Sequence, residues 1–168
     1  MATKKDPLAD EFAPAGYKLP SNSSYMKFTQ GKNKFRFLSS LVTGYEYWNT
    51  DNKPVRSREE PTDTSDGKEE EDGKVRVNHF WAAVVYNYQT EAIETLQITQ
   101  KGIMKYITGL LNDPEWGSPK NYDIVVTREG EGLGTKYTVA ANPHKELDPA
   151  IKEAYEDCGI DLNALFEN

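Results

Sequence analysis

A mainly β fold follows from three observations on this chain. Residues alternate with the period of a strand over much of 25–49, 74–99 and 122–140. A single segment between them, 101–112, switches to helical spacing, and turn residues separate the runs. The resulting order of three strands, one helix and two strands predicts a five-stranded OB-fold barrel with the helix between strands three and four. An immunoglobulin-like sandwich ranks second, since it needs about seven strands and gives no reason for a helix in mid-chain.

Residues 1–23 mix Pro7, Pro14, Gly16 and Pro20 with a Ser/Asn cluster, and read as an extended N-terminal arm. The domain is expected over 24–145. Its first strand is long and bent, running through 25–29, a turn at Gln30 and Gly31, 33–41, and then 45–49 after Thr43 and Gly44. Residues 50–73, TDNKPVRSREEPTDTSDGKEEEDG, hold almost nothing that could enter a core and read as a mobile acidic loop. A hairpin follows over 74–90 and 92–99. In the helix 101–112, Ile103, Met104, Ile107, Leu110 and Leu111 share one face, and Asp113 with Pro114 ends it. Strands over 122–128 and 135–140 flank the glycine-rich turn EGEGLG. Residues 146–168 form a C-terminal helix, from about 147 to 158, and an acidic tail, IDLNALFEN. In an OB barrel the ligand loops would be 49–74 and 129–134.

The formal net charge is −7, but it is unevenly spread. Residues 1–57 carry +4, 58–73 carry −6, 74–145 carry +1 and 146–168 carry −6. Two acidic segments therefore hide a mildly basic body, and a polyanionic ligand is not excluded. Cys158 is the only cysteine, and His79 and His144 the only histidines, which leaves no disulfide and no zinc cluster of about four ligands. No cofactor is expected. A reducing, cytoplasmic setting fits, with no apolar run near the roughly 18–20 residues of a membrane span and no signal-peptide segment in MATKKDPLADEF.

The most informative stretch is 25–58, where Lys and Arg alternate with Phe, Tyr and Trp. Cations meet phosphates and flat rings stack on bases, so this is the chemistry a single nucleic-acid strand requires. Phe35 and Phe37 fall on one face, for the core, and Lys34 and Arg36 on the other, for solvent or ligand. Tyr45 and Tyr47 share a face and Trp48 takes the opposite one, beside the loop that carries Lys53, Arg56 and Arg58. Farther along, Trp81, Tyr86 and Tyr88 are open to stacking or to core packing, because both faces of their strand are apolar. His79 reads as an ordinary strand histidine. The acidic run 69–72 is either solubilising or a competitor for the basic groove. The tail is either an amphipathic turn packed on the domain or a hook for partner proteins. No GxSxG, Walker or Rossmann pattern is present, and Gly130, Gly132 and Gly134 join two strands, so no catalytic residue is expected.

Three motifs carry a resemblance. YMKFTQGKNKFRFL, GYEYWNTDNKPVR and EWGSPKNYDIVVTREGEGLGTKYTV resemble the single-stranded DNA-binding proteins of tailed bacteriophages, OB-fold replication proteins, over roughly residues 25–140 and into the acidic C-terminus. The resemblance implies non-catalytic coating of single-stranded DNA in phage replication, recombination and repair, in the host cytoplasm. It also implies an acidic C-terminus that contacts replication or recombination proteins. The zinc subdomain of larger members needs one His and three Cys, so this chain is similar to the metal-free type. The expected DNA contacts are Lys34, Arg36, Lys53, Arg56 and Arg58 for phosphates and Tyr45, Tyr47, Trp48, Trp81, Tyr86 and Tyr88 for bases. The alternatives are an OB-fold protein-interaction module acting through its acidic loop and tail, or an RNA-binding OB domain.

Overall fold

The computed structural model describes residues 25–167, so the N-terminal arm expected over 1–23 lies outside the described residues. Among the described residues seven strands form one antiparallel sheet: β1 (Gly31–Phe37), β2 (Val42–Trp48), β3 (Pro54–Ser57), β4 (Asn78–Asn87), β5 (Ala92–Ile98), β6 (Ile124–Glu129) and β7 (Lys136–Ala141). Helix α1 (Lys101–Asn112) follows β5, and α2 (Pro149–Asp157) follows β7.

The long first strand of the sequence reading is broken into two. After Phe37, the amides of Leu38 and Ser39 both donate to the Val84 carbonyl, and the Ser39 hydroxyl accepts from the Val84 amide at 2.8 Å. The chain bends at this doubled pairing, as at a bulge. β1 pairs with the end of β4, Phe35 opposite Asn87, and β2 with its beginning, Val42 opposite Ala82. Residues 25–29 add only a bridge from Tyr25 to Thr95, and the turn after them is fixed by buried Asn33. Its amide group accepts from the Thr29 N–H at 2.9 Å and donates to the Val126 carbonyl at 3.0 Å.

The expected closed five-stranded barrel is not what forms. The sheet runs β3-β2-β4-β1-β6-β7, with β5 on the other edge of β4, and it stays open between β5 and β7. Two contacts account for the open seam. The Met26 amide donates to the Thr95 carbonyl at 2.9 Å and so engages β5, while α1 packs against β7. The two extra strands have separate origins: the bend divides the first strand, and the 50–73 segment contributes β3, which its composition did not show. The rest of that segment is tied by bridges from Asn49 to Gly67 and from Glu69 to Val75, so it has regular structure where a structureless loop was expected.

One hydrophobic core lies between the sheet and α1. Phe35, Phe37, Val85, Leu96 and Ile98 meet Ile103, Met104, Ile107 and Leu110 there, closed off by Tyr122, Ile124 and Val126. Phe35 and Phe37 pack edge to face at 5.2 Å, an arrangement that adds to their area burial. Leu111, assigned by periodicity to the same helical face, is 52% exposed at its margin. The helix stops at Asp113 because Pro114 disfavours helical backbone before it. α2 starts as its sequence requires, with Asp148 capping the Ala150 amide at 2.9 Å and Pro149 in the first turn. Among the described residues no helix is long and apolar enough to cross a membrane.

Candidate nucleic-acid interface

Directly opposed residues of antiparallel strands share a face. The register therefore places Phe35, Phe37, Trp81 and Leu96 on the side of α1, and Lys34, Arg36, Trp48, Phe80 and Tyr86 on the other, which we call the outer face. Two aromatic and cationic clusters stand at its two ends. They are separated by the run of β4 from Asn78 to Tyr86, roughly 26 Å at about 3.3 Å per residue.

At one end Trp48 is 48% exposed, with Arg76 and Asn52 beside it and Lys53 exposed on the turn that leads into β3. The acidic hairpin 69–72 lines the same hollow. At the other end Tyr86 and Tyr88 pack edge to face at 4.9 Å, and the Lys34 ammonium lies 4.5 Å from the centre of the Tyr88 ring. Lys34 also approaches Asp123 at 3.7 Å and remains partly open to solvent. The Tyr88 hydroxyl donates to Asp123 at 2.8 Å. Burial first, and this bond second, hold its phenol well above the ordinary value.

Several expected contact residues have other roles. Arg36, expected to face a phosphate, is buried. Its guanidinium donates to the Lys120 carbonyl at 2.8 Å and the Lys145 carbonyl at 2.6 Å, and pairs with buried Asp123 at 3.3 Å. Alternation alone placed it on the outer face correctly, but residues 120–123 and 145 cover that part of the face. Tyr47 is also buried, with its hydroxyl donating to Asp66 at 2.6 Å, so it holds the 50–73 segment and is not presented for stacking. Arg56 spends its charge on Glu46 at 3.1 Å, a buried carboxylate on the neighbouring strand. Tyr45 and Trp81 point to the α1 side, Tyr45 against the His79 ring at 5.0 Å and Trp81 half-buried against the core. Arg58 is exposed but lies 4.4 Å over the Phe166 ring and donates to Asn163 at 2.6 Å.

Those last two partners belong to the tail. Residues Leu162–Phe166 form a 3-10 turn whose Phe166 stacks on Phe80 at 6.0 Å, near the Asn78 end of β4 on the outer face. Gly44 is what admits it, since a Cβ there would lie 2.8 Å from the Phe166 ring and 2.7 Å from the Ser57 carbonyl. Of the two sequence readings of the tail, an amphipathic turn packed on the domain matches this placement.

The tertiary structure also assembles cations that the sequence reading missed. Lys120, Lys145 and Lys152 surround a cleft of about 730 Å³ with His144 and, among the described residues, a single acid, Glu146. Each lies alone in the sequence, so no local pattern could reveal them. Arg36 brings Lys120 and Lys145 together by binding both of their carbonyls. Among the described residues no three His, Cys, Asp or Glu side chains converge as a metal site. No family model, curated protein or solved structure matches the chain.

The tyrosines make stability sensitive to alkali. The Asp66 hydrogen bond, followed by burial and the charges of Asp66 and Asp63, pushes the Tyr47 phenol up from 10.0 to about 12. A raised folded value means that protonation favours the fold: the stabilisation is complete below about pH 10 and is lost as pH rises through about 12. Urea denaturation should therefore show stability falling across that window, and Tyr47→Phe should flatten the fall. An identical slope in the variant would remove Tyr47 from the account.

Proposed function

We propose that the chain is an OB-type domain that binds single-stranded DNA without strong sequence preference and without catalysing a reaction. The connectivity supports the fold reading: β1 and β2 together take the place of the bent first strand, β4 and β5 follow as a hairpin, α1 intervenes, and β6 and β7 close the order with their last seam unpaired. The observation that carries the functional reading is the outer face itself. Solvent-accessible Trp48 with Lys68 and Arg76 at one end, in a hollow that the acidic run 69–72 also lines, and Tyr86 and Tyr88 with Lys34 at the other, set rings beside cations on one face. Stacked rings serve any base, which is why such a face binds without reading sequence. DNA as the physiological strand, a part in phage replication, recombination and repair, a cytoplasmic location and partners for the acidic C-terminus rest on the family resemblance. The alternative of a partner-recruiting hook has less support, because Phe166 is half-buried and stacked on Phe80.

Titration with oligo-dT, followed by tryptophan emission at several salt concentrations, tests the reading. With Lys34, Lys68 and Arg76 on the outer face and Lys53 on the adjoining turn as cations open to solvent, this face should contribute a slope of about −3 to log affinity against log salt, from about −0.7 per phosphate on a single strand. Unchanged emission at low salt, or equal affinity for a duplex, would reject it.

A further inference from the structure

We infer that the chain takes one nucleotide of the bound strand out of the outer face, seating its base in an apolar groove beside α1 and its phosphate in the neighbouring lysine cleft. The inference rests on the single-strand reading above and adds a site on the other side of the sheet. The groove, of about 320 Å³, lies between the bend that joins β1 to β2 and the last turns of α1. Phe37, Trp81, Ile107 and Leu111 wall it, Ser40 and Lys120 stand at its rim, and no acidic side chain among the described residues lines it. Leu41 and Leu111 are 38% and 52% exposed there, so apolar surface is left uncovered. The volume lies at the small end of the roughly 300–1,000 Å³ of ligand clefts. It suits a single flat ring system.

The adjoining cleft supplies what a nucleotide needs besides its base. Lys120, on the turn Pro119–Asn121, borders both hollows, with its ammonium 3.0 Å from the Ser40 hydroxyl to which it donates. Lys145 and Lys152 lie beyond it on the cleft side. The cleft also reaches Arg36, whose neighbours Lys34 and Tyr88 belong to the outer face, since all three meet Asp123. A strand leaving the Tyr86–Tyr88 end of that face would thus pass Lys145 and Lys120 and turn a base over the Pro119–Asn121 ridge toward Trp81. Charge complementarity fixes the occupant's chemistry: an anionic group against lysines, joined to an aromatic ring against Phe37 and Trp81.

Two substitutions at exposed Leu111 separate this site from general electrostatics. Leu111→Glu and Leu111→Lys both put a charge in the groove, and if a base sits there both should weaken oligo-dT binding about tenfold, the loss of roughly one stacked base. Anisotropy of a labelled oligonucleotide measures this. Lys120→Ala should reduce the magnitude of the salt slope by about 0.7. Photocrosslinking of the wild-type complex through 5-iododeoxyuridine should mark Trp81 or Phe37. Wild-type binding with crosslinks confined to Trp48, Tyr86 and Tyr88, or a Leu111→Lys variant that binds as tightly as wild type or tighter, would overturn the groove and leave the outer-face reading standing. Absence of any oligonucleotide binding by the wild-type chain would overturn both.

Discussion

Arg36→Ala is expected to destabilise the domain by about 3–5 kcal/mol, the range for breaking a buried ion pair from one side. The reason is what remains behind. Asp123 is buried, and in the variant its carboxylate keeps, among the described residues, the Tyr88 hydroxyl at 2.8 Å and the more distant Lys34. The carbonyls of Lys120 and Lys145 lose their shared donor at the same time. Lysine should rescue little at this position, because a single ammonium cannot reproduce the fork that spans two carbonyls and a carboxylate. Arg36→Met with Asp123→Leu should recover part of the loss, since no charge is left buried and unpaired, while the two carbonyls and the Tyr88 hydroxyl still lack their partners. Equilibrium urea unfolding of the three variants measures the series. A cost for Arg36→Ala below about 1 kcal/mol would show that the pair does not hold the two segments together.

Trp48→Ala combined with Tyr86→Ala is expected to weaken oligo-dT binding by about 2–6 kcal/mol, if each ring carries one base at about 1–3 kcal/mol. Trp48 is exposed and Tyr86 only half-buried, so the fold should survive the change, in contrast to Arg36→Ala. The salt slope should stay near that of the wild type, because no cation is removed. Lys34→Ala with Lys53→Ala should do the opposite, flattening the slope by about 1.4 at the rate of about 0.7 per contact. Calorimetric titration at two salt concentrations distinguishes the pairs. Wild-type affinity in the aromatic double variant would rule out the outer face as the site of base stacking.

Much of the fold was legible because it depends on local alternation. Phe35 and Phe37 fall into the core as their period required, α1 occupies the residues its spacing indicated, and Pro114 ends it. The limits of the first strand were not legible, since the bend at 38–41 arises from one residue of a distant strand, Val84, accepting two amides. Nor was β3, which pairs with β2 although its own residues look like loop.

For the candidate site, the sequence by itself determined which residue types were available and on which face of a strand each would lie. Lys34, Arg36, Trp48 and Tyr86 do share the outer face. Only the tertiary structure decided which of the candidate residues, on either face, stay accessible. Arg36 is covered by residues 120–123 and 145, Tyr47 by its bond to Asp66, and Phe80 by Phe166, all partners remote in sequence. Lys120, Lys145 and Lys152 became a cluster in the same way. The side a residue faces is fixed by the two-residue repeat of its own strand, whereas its burial depends on what other segments lay over it, and no local pattern encodes that.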